Sequence, residues 1–194
     1  MSYPRFGKYI LFESIGTGGM AEICRAKALD AAVNSPFVAI KRMLPDFERE
    51  ERFLRMFEDE VRLVMALEHP HIVPAFEKGS IRGLNYFSMP YIRGRTLGRL
   101  LFELRKQGRM LPVNLALQVM ASICSGLEHA HSLCDDTGVP LQVIHRDVSP
   151  ENILLGFDGG VWITDFGIAK ARKRRTEKTQ TGTLKGKLGY MSPE

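Results

Sequence analysis

The 194-residue chain is 44% hydrophobic and 25% charged, with a formal net charge of +5, a balance that fits a soluble globular protein with enough apolar material for a sizeable core. It has no apolar run of about 18 residues or more, so no transmembrane helix is indicated, and MSYPRFGKYILFE at the start lacks the apolar core of a signal peptide. Cys24, Cys124 and Cys134 are widely spaced and form no CxxC pair, which argues against a disulfide framework or a zinc site and points to a reducing cytoplasm. Much of the positive charge lies in KARKRRTEK, Lys170 to Lys178. Such a run can bind nucleic acid or an anionic surface. No aromatics interleave with it, so a solvated loop is the plainer reading and no nucleic-acid partner is expected.

In chain order, YILFESIG, AEICRAKA and FVAIKRM read as strands, being apolar-rich, alternating or β-branched and bounded by glycines or Pro36. From about Phe47 the period changes. Phe53, Met56, Phe57, Val61, Val64 and Leu67 recur at helical spacing until HPH stops the helix. IVPAFEKG and LNYFSMPYI read as strands around a turn at Arg82–Gly83. TLGRLLFELRKQG reads as a short helix with Thr96 as N-cap and Gly108 beyond its end. PVNLALQVMASICSGLEHAHSL is a longer helix with Pro112 near its first turn. Short strands and loops follow from QVIHRD to VWITDFG, and a polar, basic, Thr-rich tail closes the chain. Strands, one helix, strands, then helices imply an α+β architecture. A small antiparallel sheet with one helix is joined near Tyr91–Gly94 to a mainly helical lobe.

Several short motifs bear chemistry. IGTGGMAEI sets Gly16, Gly18 and Gly19 after Ile15 and between two strands. Glycines there let backbone N–H groups approach phosphates, although glycines between strands can also mark a plain hairpin. Lys41 ends VAIK, and Glu60 lies mid-helix. Either residue alone reads as a surface charge, and Asp147, Asn152 or Asp165 alone as a turn or cap residue. Their order is what carries information. GTGGMAEI, VAIK, Glu60, HRDVSPEN, DFG and SPE follow one another over nearly the whole chain. The set resembles the eukaryotic-like (Hanks-type) bacterial Ser/Thr protein kinases.

That resemblance implies a bilobal protein-kinase-like fold. Residues 1–92 would form a complete N-lobe with hinge, built on a five-stranded antiparallel sheet plus one helix, and residues 93–194 a partial helical C-lobe. It also implies ATP and Mg²⁺ as cofactors and Ser/Thr-bearing proteins as substrates, including other copies of the chain in trans. Lys41 would hold the α- and β-phosphates with Glu60 as its ion-pair partner. Asp165 and Asn152 would bind Mg²⁺ through hard oxygen ligands. Asp147 would orient the acceptor hydroxyl and take its proton. Around the adenine, Met89 would be the gatekeeper, the Pro90 carbonyl an acceptor and the Ile92 N–H a donor, with Ile23 and Ala39 above the ring and Leu154 below. Ordinary core packing explains the apolar members of this group equally well. Val64, Ala75, His145 and Phe166 fall at the stacked regulatory positions, His145 reading as a packed core histidine. Thr183 matches the activating phosphosite, where phosphate would add roughly two negative charges that Arg146 could meet.

Three positions depart from the pattern. Ala21 stands for the third glycine, Ser149 for the catalytic-loop lysine, and Lys187 for the threonine of the GT pair before SPE. Ser149 and Lys187 would be neighbours in the family fold, so the expectation is an exchange: Lys187 supplies the positive charge and Ser149 the hydroxyl. A surface lysine in a loop is the plainer alternative for Lys187. The chain stops at Glu194, the last residue of SPE, whereas family domains continue for several helices. The expectation is therefore a fragment that is weakly active or inactive, and poorly soluble, alone. A nucleotide-binding pseudokinase scaffold is the competing reading, for which Ser149 is the opening, and an anion-binding module built on KARKRR is the third.

Overall fold

The structure, a computed structural model, describes residues 3–30, 32 and 34–166. The basic run, Thr183, Lys187 and the SPE triplet lie outside the described residues. The chain divides into two compact units. The first comprises Met1–Ala66 and Pro74–Tyr91, and the second runs from Ile92 onward and takes in Leu67–Val73.

Six antiparallel strands build the first unit: β1 (Arg5–Phe6), β2 (Tyr9–Thr17), β3 (Ala21–Ala28), β4 (Val38–Met43), β5 (Glu77–Ile81) and β6 (Leu84–Pro90), in the spatial order β1-β2-β3-β4-β6-β5. Strand alternation sends Tyr9 and Leu11, Cys24 and Ala26, Ile40 and Tyr86 to one face, where they form a core with Phe6. Helix α1 (Glu51–Ala66) buries Met56, Phe57, Glu60, Val61 and Val64, a stripe at helical spacing. Phe57 meets Phe87 of β6 with ring centroids 5.8 Å apart.

The sheet has six strands where five were expected. Gly7, at φ +55°, turns the chain so that Arg5 pairs with Ile10 and Phe6 with Tyr9. The resulting two-residue strand is too short to announce itself by periodicity. At the opposite edge, Glu77 of β5 accepts from Lys8 Nζ at 2.6 Å, from the Tyr9 hydroxyl at 2.7 Å and from the Tyr86 hydroxyl at 3.1 Å. The sheet thus curls until the β1–β2 turn and the start of β2 reach the carboxylate of β5. Burial alone would raise the Glu77 pKa, but these three donors outweigh it and hold the carboxyl below its ordinary 4.5. Burial and the same carboxylate push the Tyr86 hydroxyl up to about 12.

In the second unit, α2 (Leu97–Lys106) starts at Thr96, whose Oγ accepts from the Arg99 N–H at 3.1 Å. Gly108 follows the helix at φ +65°. Helix α3 spans Val113–His131 behind Pro112. A three-stranded sheet, ordered β7 (Gly94–Thr96), β8 (Ile153–Gly156) and β9 (Val161–Ile163), lies beside these helices. IVPAFEKG, expected as one strand, is split. Only its end joins β5, while Ile72 forms a parallel bridge with Ile163 and the Val73 N–H donates to the Ile163 carbonyl at 3.1 Å. QVIHRD contributes no strand.

Gly94 is required by the β7–β8 pairing. A Cβ at this position would lie 1.9 Å from the Leu155 carbonyl oxygen. Gly94→Ala is expected to destabilise the protein by about 1–3 kcal/mol through overpacking, read from the urea midpoint. An unchanged midpoint would mean that the strand pair opens around a methyl group.

Candidate active site

Gly18 and Gly19 of IGTGGMAEI form the turn of the β2–β3 hairpin, and Gly16 lies near the end of β2. Gly16 pairs with Ile23 and Thr17 with Glu22, and the Gly18 N–H donates to the Ala21 carbonyl at 2.8 Å. Nothing lies within 4 Å of where a Gly19 Cβ would be, and Ile15 is exposed. Ala21 is buried, so its methyl group is accommodated where a glycine was the family expectation.

Strand register gathers the other expected residues of the first unit. Ile23 pairs with Lys41, Lys41 with Phe87, and Ala39 with Met89. Because paired residues share a face and side chains alternate along a strand, Gly16, Ile23, Ala39, Lys41, Phe87 and Met89 all lie on one face of the sheet, opposite the Ile40–Tyr86 core. Lys41 Nζ forms an ion pair with the Glu60 carboxylate of α1 and stands 5.9 Å from the Phe87 ring centroid. Both charged side chains are almost wholly removed from solvent, at 12% and 6% exposure. A pair this buried is desolvated, so each charge depends on the other. Phe87 was not singled out from the sequence, yet its place two residues before Met89 in an alternating strand puts it on this face. Pro90 pairs with Val38 at the end of β6, and the Tyr91 N–H donates to the Phe37 carbonyl at 3.3 Å. Val64 is buried and Ala75 is half-buried.

In the second unit, HRDVSPEN runs into a single 3₁₀ turn, Pro150–Asn152, preceding β8. Asn152 donates from Nδ2 to the Asp147 backbone carbonyl at 2.8 Å and to Asp147 Oδ2 at 2.9 Å. With its amide nitrogen committed twice to Asp147, Asn152 keeps Oδ1 as the atom able to ligate a cation. The Thr164 N–H donates to the Asn152 carbonyl at 3.0 Å, which ties Asp165, one residue on, to the same loop. Arg146 and Asp165 adopt φ +63° and +58°, left-handed conformations that side chains rarely take and that cluster at functional sites. Ser149 is buried. Leu154 lies on β8, paired with Thr96 and Trp162, and Ile92 opens the unit.

His145 is buried, its ring 4.6 Å from that of Phe166. The carbonyl of Thr164, 3.0 Å from Nε2, can only accept, so Nε2 carries the proton. Nδ1 then accepts from the Asp147 N–H at 3.3 Å. Burial holds this imidazole below its ordinary 6.5, against the Thr164 carbonyl and the carboxylates of Asp147 and Asp165. It is a structural histidine that orients the backbone of Asp147. Among the described residues no three His, Cys, Asp or Glu side chains converge as a metal site. Asn152 and Asp165 instead suit Mg²⁺ as it is held with nucleotides, by one or two protein ligands plus phosphate oxygens.

A curled antiparallel sheet with its buried Lys–Glu pair and an HRD loop braced by asparagine are features of one class of fold, and residues 9–194 match the family described as protein kinase domain. The chain belongs to the protein kinase family. It is 41% identical over 97% of its length to the tyrosine-protein kinase MasK of Myxococcus xanthus, and 34% identical over 97% to the serine/threonine-protein kinase PrkC of Bacillus subtilis. The crystal structure of the PknI kinase domain of Mycobacterium tuberculosis is similar with a TM-score of 0.66, at 25% identity over 87% of the chain. The chain spans 29% and 26% of the two curated relatives and 63% of the solved domain.

Removing one member of the buried pair takes a desolvated partner from the other charge. Glu60→Ala is expected to cost about 3–5 kcal/mol, whereas the double replacement Lys41→Met with Glu60→Leu recovers most of that loss. Urea denaturation of the three proteins checks this, and a double variant as unstable as Glu60→Ala would contradict it.

Proposed function

We propose that the chain carries the nucleotide-binding and catalytic-loop residues of an ATP- and Mg²⁺-dependent protein kinase acting on serine and threonine hydroxyls in the cytoplasm. The observation that carries this reading is the buried Lys41–Glu60 pair on the sheet face shared by Gly16, Ile23, Ala39 and Met89. A lysine fixed in position by a desolvated carboxylate is suited to hold phosphates, and phosphoryl transfer depends on such positioning more than on covalent chemistry.

The assignments follow residue by residue. Ile15, Gly16, Gly18 and Gly19 cover the phosphates with backbone N–H groups. Ile23, Ala39, Met89 and Leu154 contact the adenine, with the Pro90 carbonyl and the Ile92 N–H as its hydrogen-bonding partners. Lys41 holds the α- and β-phosphates, and Asn152 and Asp165 hold Mg²⁺. Asp147 orients the acceptor hydroxyl and takes its proton at a carboxylate already steadied by the Asn152 amide. Bound MgATP supplies the transferable phosphoryl group and the charge that offsets it. Thr183, phosphorylated in trans by another copy, is the activating site, with Arg146 as its partner.

The acceptor is the part of this reading with a competitor, because MasK is named a tyrosine-protein kinase whereas PrkC is named a serine/threonine-protein kinase. Incubating the full-length protein with labelled ATP and Mg²⁺ tests both. Phosphoserine and phosphothreonine are expected, with Thr183 among the mapped sites. Asp147→Asn should lower transfer by about 10²–10⁴-fold. Phosphotyrosine alone would move the assignment to the second reading, and ATP binding without transfer would make the protein a scaffold.

Ser149 leaves the catalytic loop without its expected lysine, and we assign the missing charge to Lys187. Lys187→Ala should lower kcat by about 10²–10³-fold with little change in the KM for ATP, as expected for loss of a group that stabilises charge in the transition state. Turnover at the wild-type level would remove this assignment.

A further inference from the structure

Three histidines that the proposed chemistry does not use converge where Leu67–Val73 meets α3. The His69 ring stacks on His129 of α3, with centroids 5.2 Å apart and planes at 27°, and lies 5.6 Å from the ring of His71. The His71 N–H donates to His69 Nδ1 at 3.1 Å, so Nδ1 bears a lone pair and the proton is on Nε2, 3.3 Å from Ser125 Oγ of α3. His71 Nδ1 in turn donates to the Val161 carbonyl of β9 at 3.0 Å. His129 Nε2 is buried with no hydrogen-bond partner. The hydrogen bond that fixes the turn at His69 therefore uses a neutral ring.

We propose that this cluster is an acid-released latch: neutral His69, stacked on His129, holds Leu67–Val73 against α3, and protonation of His69 at Nδ1 in mild acid frees the segment. Protonation turns the acceptor of the His71 N–H into a second donor, so two donors face each other. It also places a cation against the stacked ring of His129. The titratable groups acting on His69 are His129 from α3 and His71 from its own turn, and neither can neutralise a new positive charge. On β9 the neighbour is the Val161 carbonyl, already engaged by His71. The packing leaves little room for adjustment. A Cβ on Gly126 of α3 would lie 3.3 Å from both the His71 carbonyl oxygen and Ile72 Cγ1, so the helix backbone already rests on the segment.

The direction of the effect follows from linkage. Burial, then His129 and His71, hold the His69 imidazole below its ordinary 6.5. The docked segment thus binds fewer protons than the released one. Docking is strongest above the free imidazole value and weakens as pH falls through the docked value. Helix α1, which carries Glu60, ends at Ala66, one residue before the segment.

Hydrogen exchange on the full-length protein at pH 7.5 and 5.5, corrected for intrinsic rates, tests the latch without reference to phosphoryl transfer. The Ile72 and Val73 amides should lose protection by up to roughly tenfold at the lower pH, the limit for one imidazole of free pKa near 6.5. His69→Asn keeps an acceptor near Nδ1 but takes up no proton. It should retain protection at pH 7.5 and lose none at pH 5.5. His129→Phe keeps the stacked ring without the second charge and should shrink the loss. The proposal is overturned if wild-type protection is unchanged in acid, if His69→Asn responds as wild type does, or if His129→Phe leaves the loss undiminished. His145 also becomes unfavourably charged in acid, and the His69 variant separates its effect from the latch.

Discussion

Lys41 and Glu60 come from a strand and a helix, and both lose their water to reach each other. Two charges in a protein interior remain stable only while they are paired, since the cost of stranding either exceeds what most single contacts supply. The pair therefore does more than join α1 to β4. It makes the helix position and the lysine position one variable, so any displacement of α1 moves the positive charge. The Phe57–Phe87 contact beside it keeps the same interface apolar, which strengthens the electrostatic coupling by excluding solvent. The sheet face that bears Ile23, Ala39 and Met89 is built around that arrangement.

The second unit uses a different device. His145 and His69 share a local geometry, in which the ring nitrogen nearest the backbone accepts from the N–H two residues later. In both cases the ring is buried or stacked and its pKa lies below the ordinary value. At His145 the result is a fixed backbone for Asp147. At His69 it is a fixed turn after α1. One small motif, used twice, thus sets the pose of two segments whose side chains cannot do so themselves. Gly126 lets the helix reach the second of these turns closely.

Elements with strong local signals were legible in the sequence. The helical stripe of α1, the Thr96 cap of α2, the strands β2, β3 and β4 and the α+β protein-kinase-like class are all present as read. So is the pairing of Lys41 with Glu60, whereas the hold of Asn152 on Asp147 emerged only from the structure. What was not legible depends on distant pairing. Two-residue β1 exists only because Gly7 folds it onto β2, and β7 exists only because Leu154–Gly156 lies opposite it some 60 residues later. Ile72 and Val73 looked like part of the following strand because they are β-branched, yet the Ile72 N–H donates to the His69 carbonyl and the Val73 N–H to that of Ile163. The histidine cluster was invisible for the same reason. His129 is separated from His69 by three strands, α2 and most of α3, and no spacing rule links them.

The Glu77 clasp bears on how the sheet avoids unwanted company. An open antiparallel sheet presents two edges whose free N–H and C=O groups can recruit another chain. Here one edge is only two residues long, and the other carries Glu77 and Lys78 on a short strand. The Lys8 and Tyr9 bonds to Glu77 draw the β1–β2 end of the sheet toward β5. A half-buried carboxylate placed for closure thereby acts as protection against strand addition, guarding a surface that an otherwise similar flat sheet would leave adhesive.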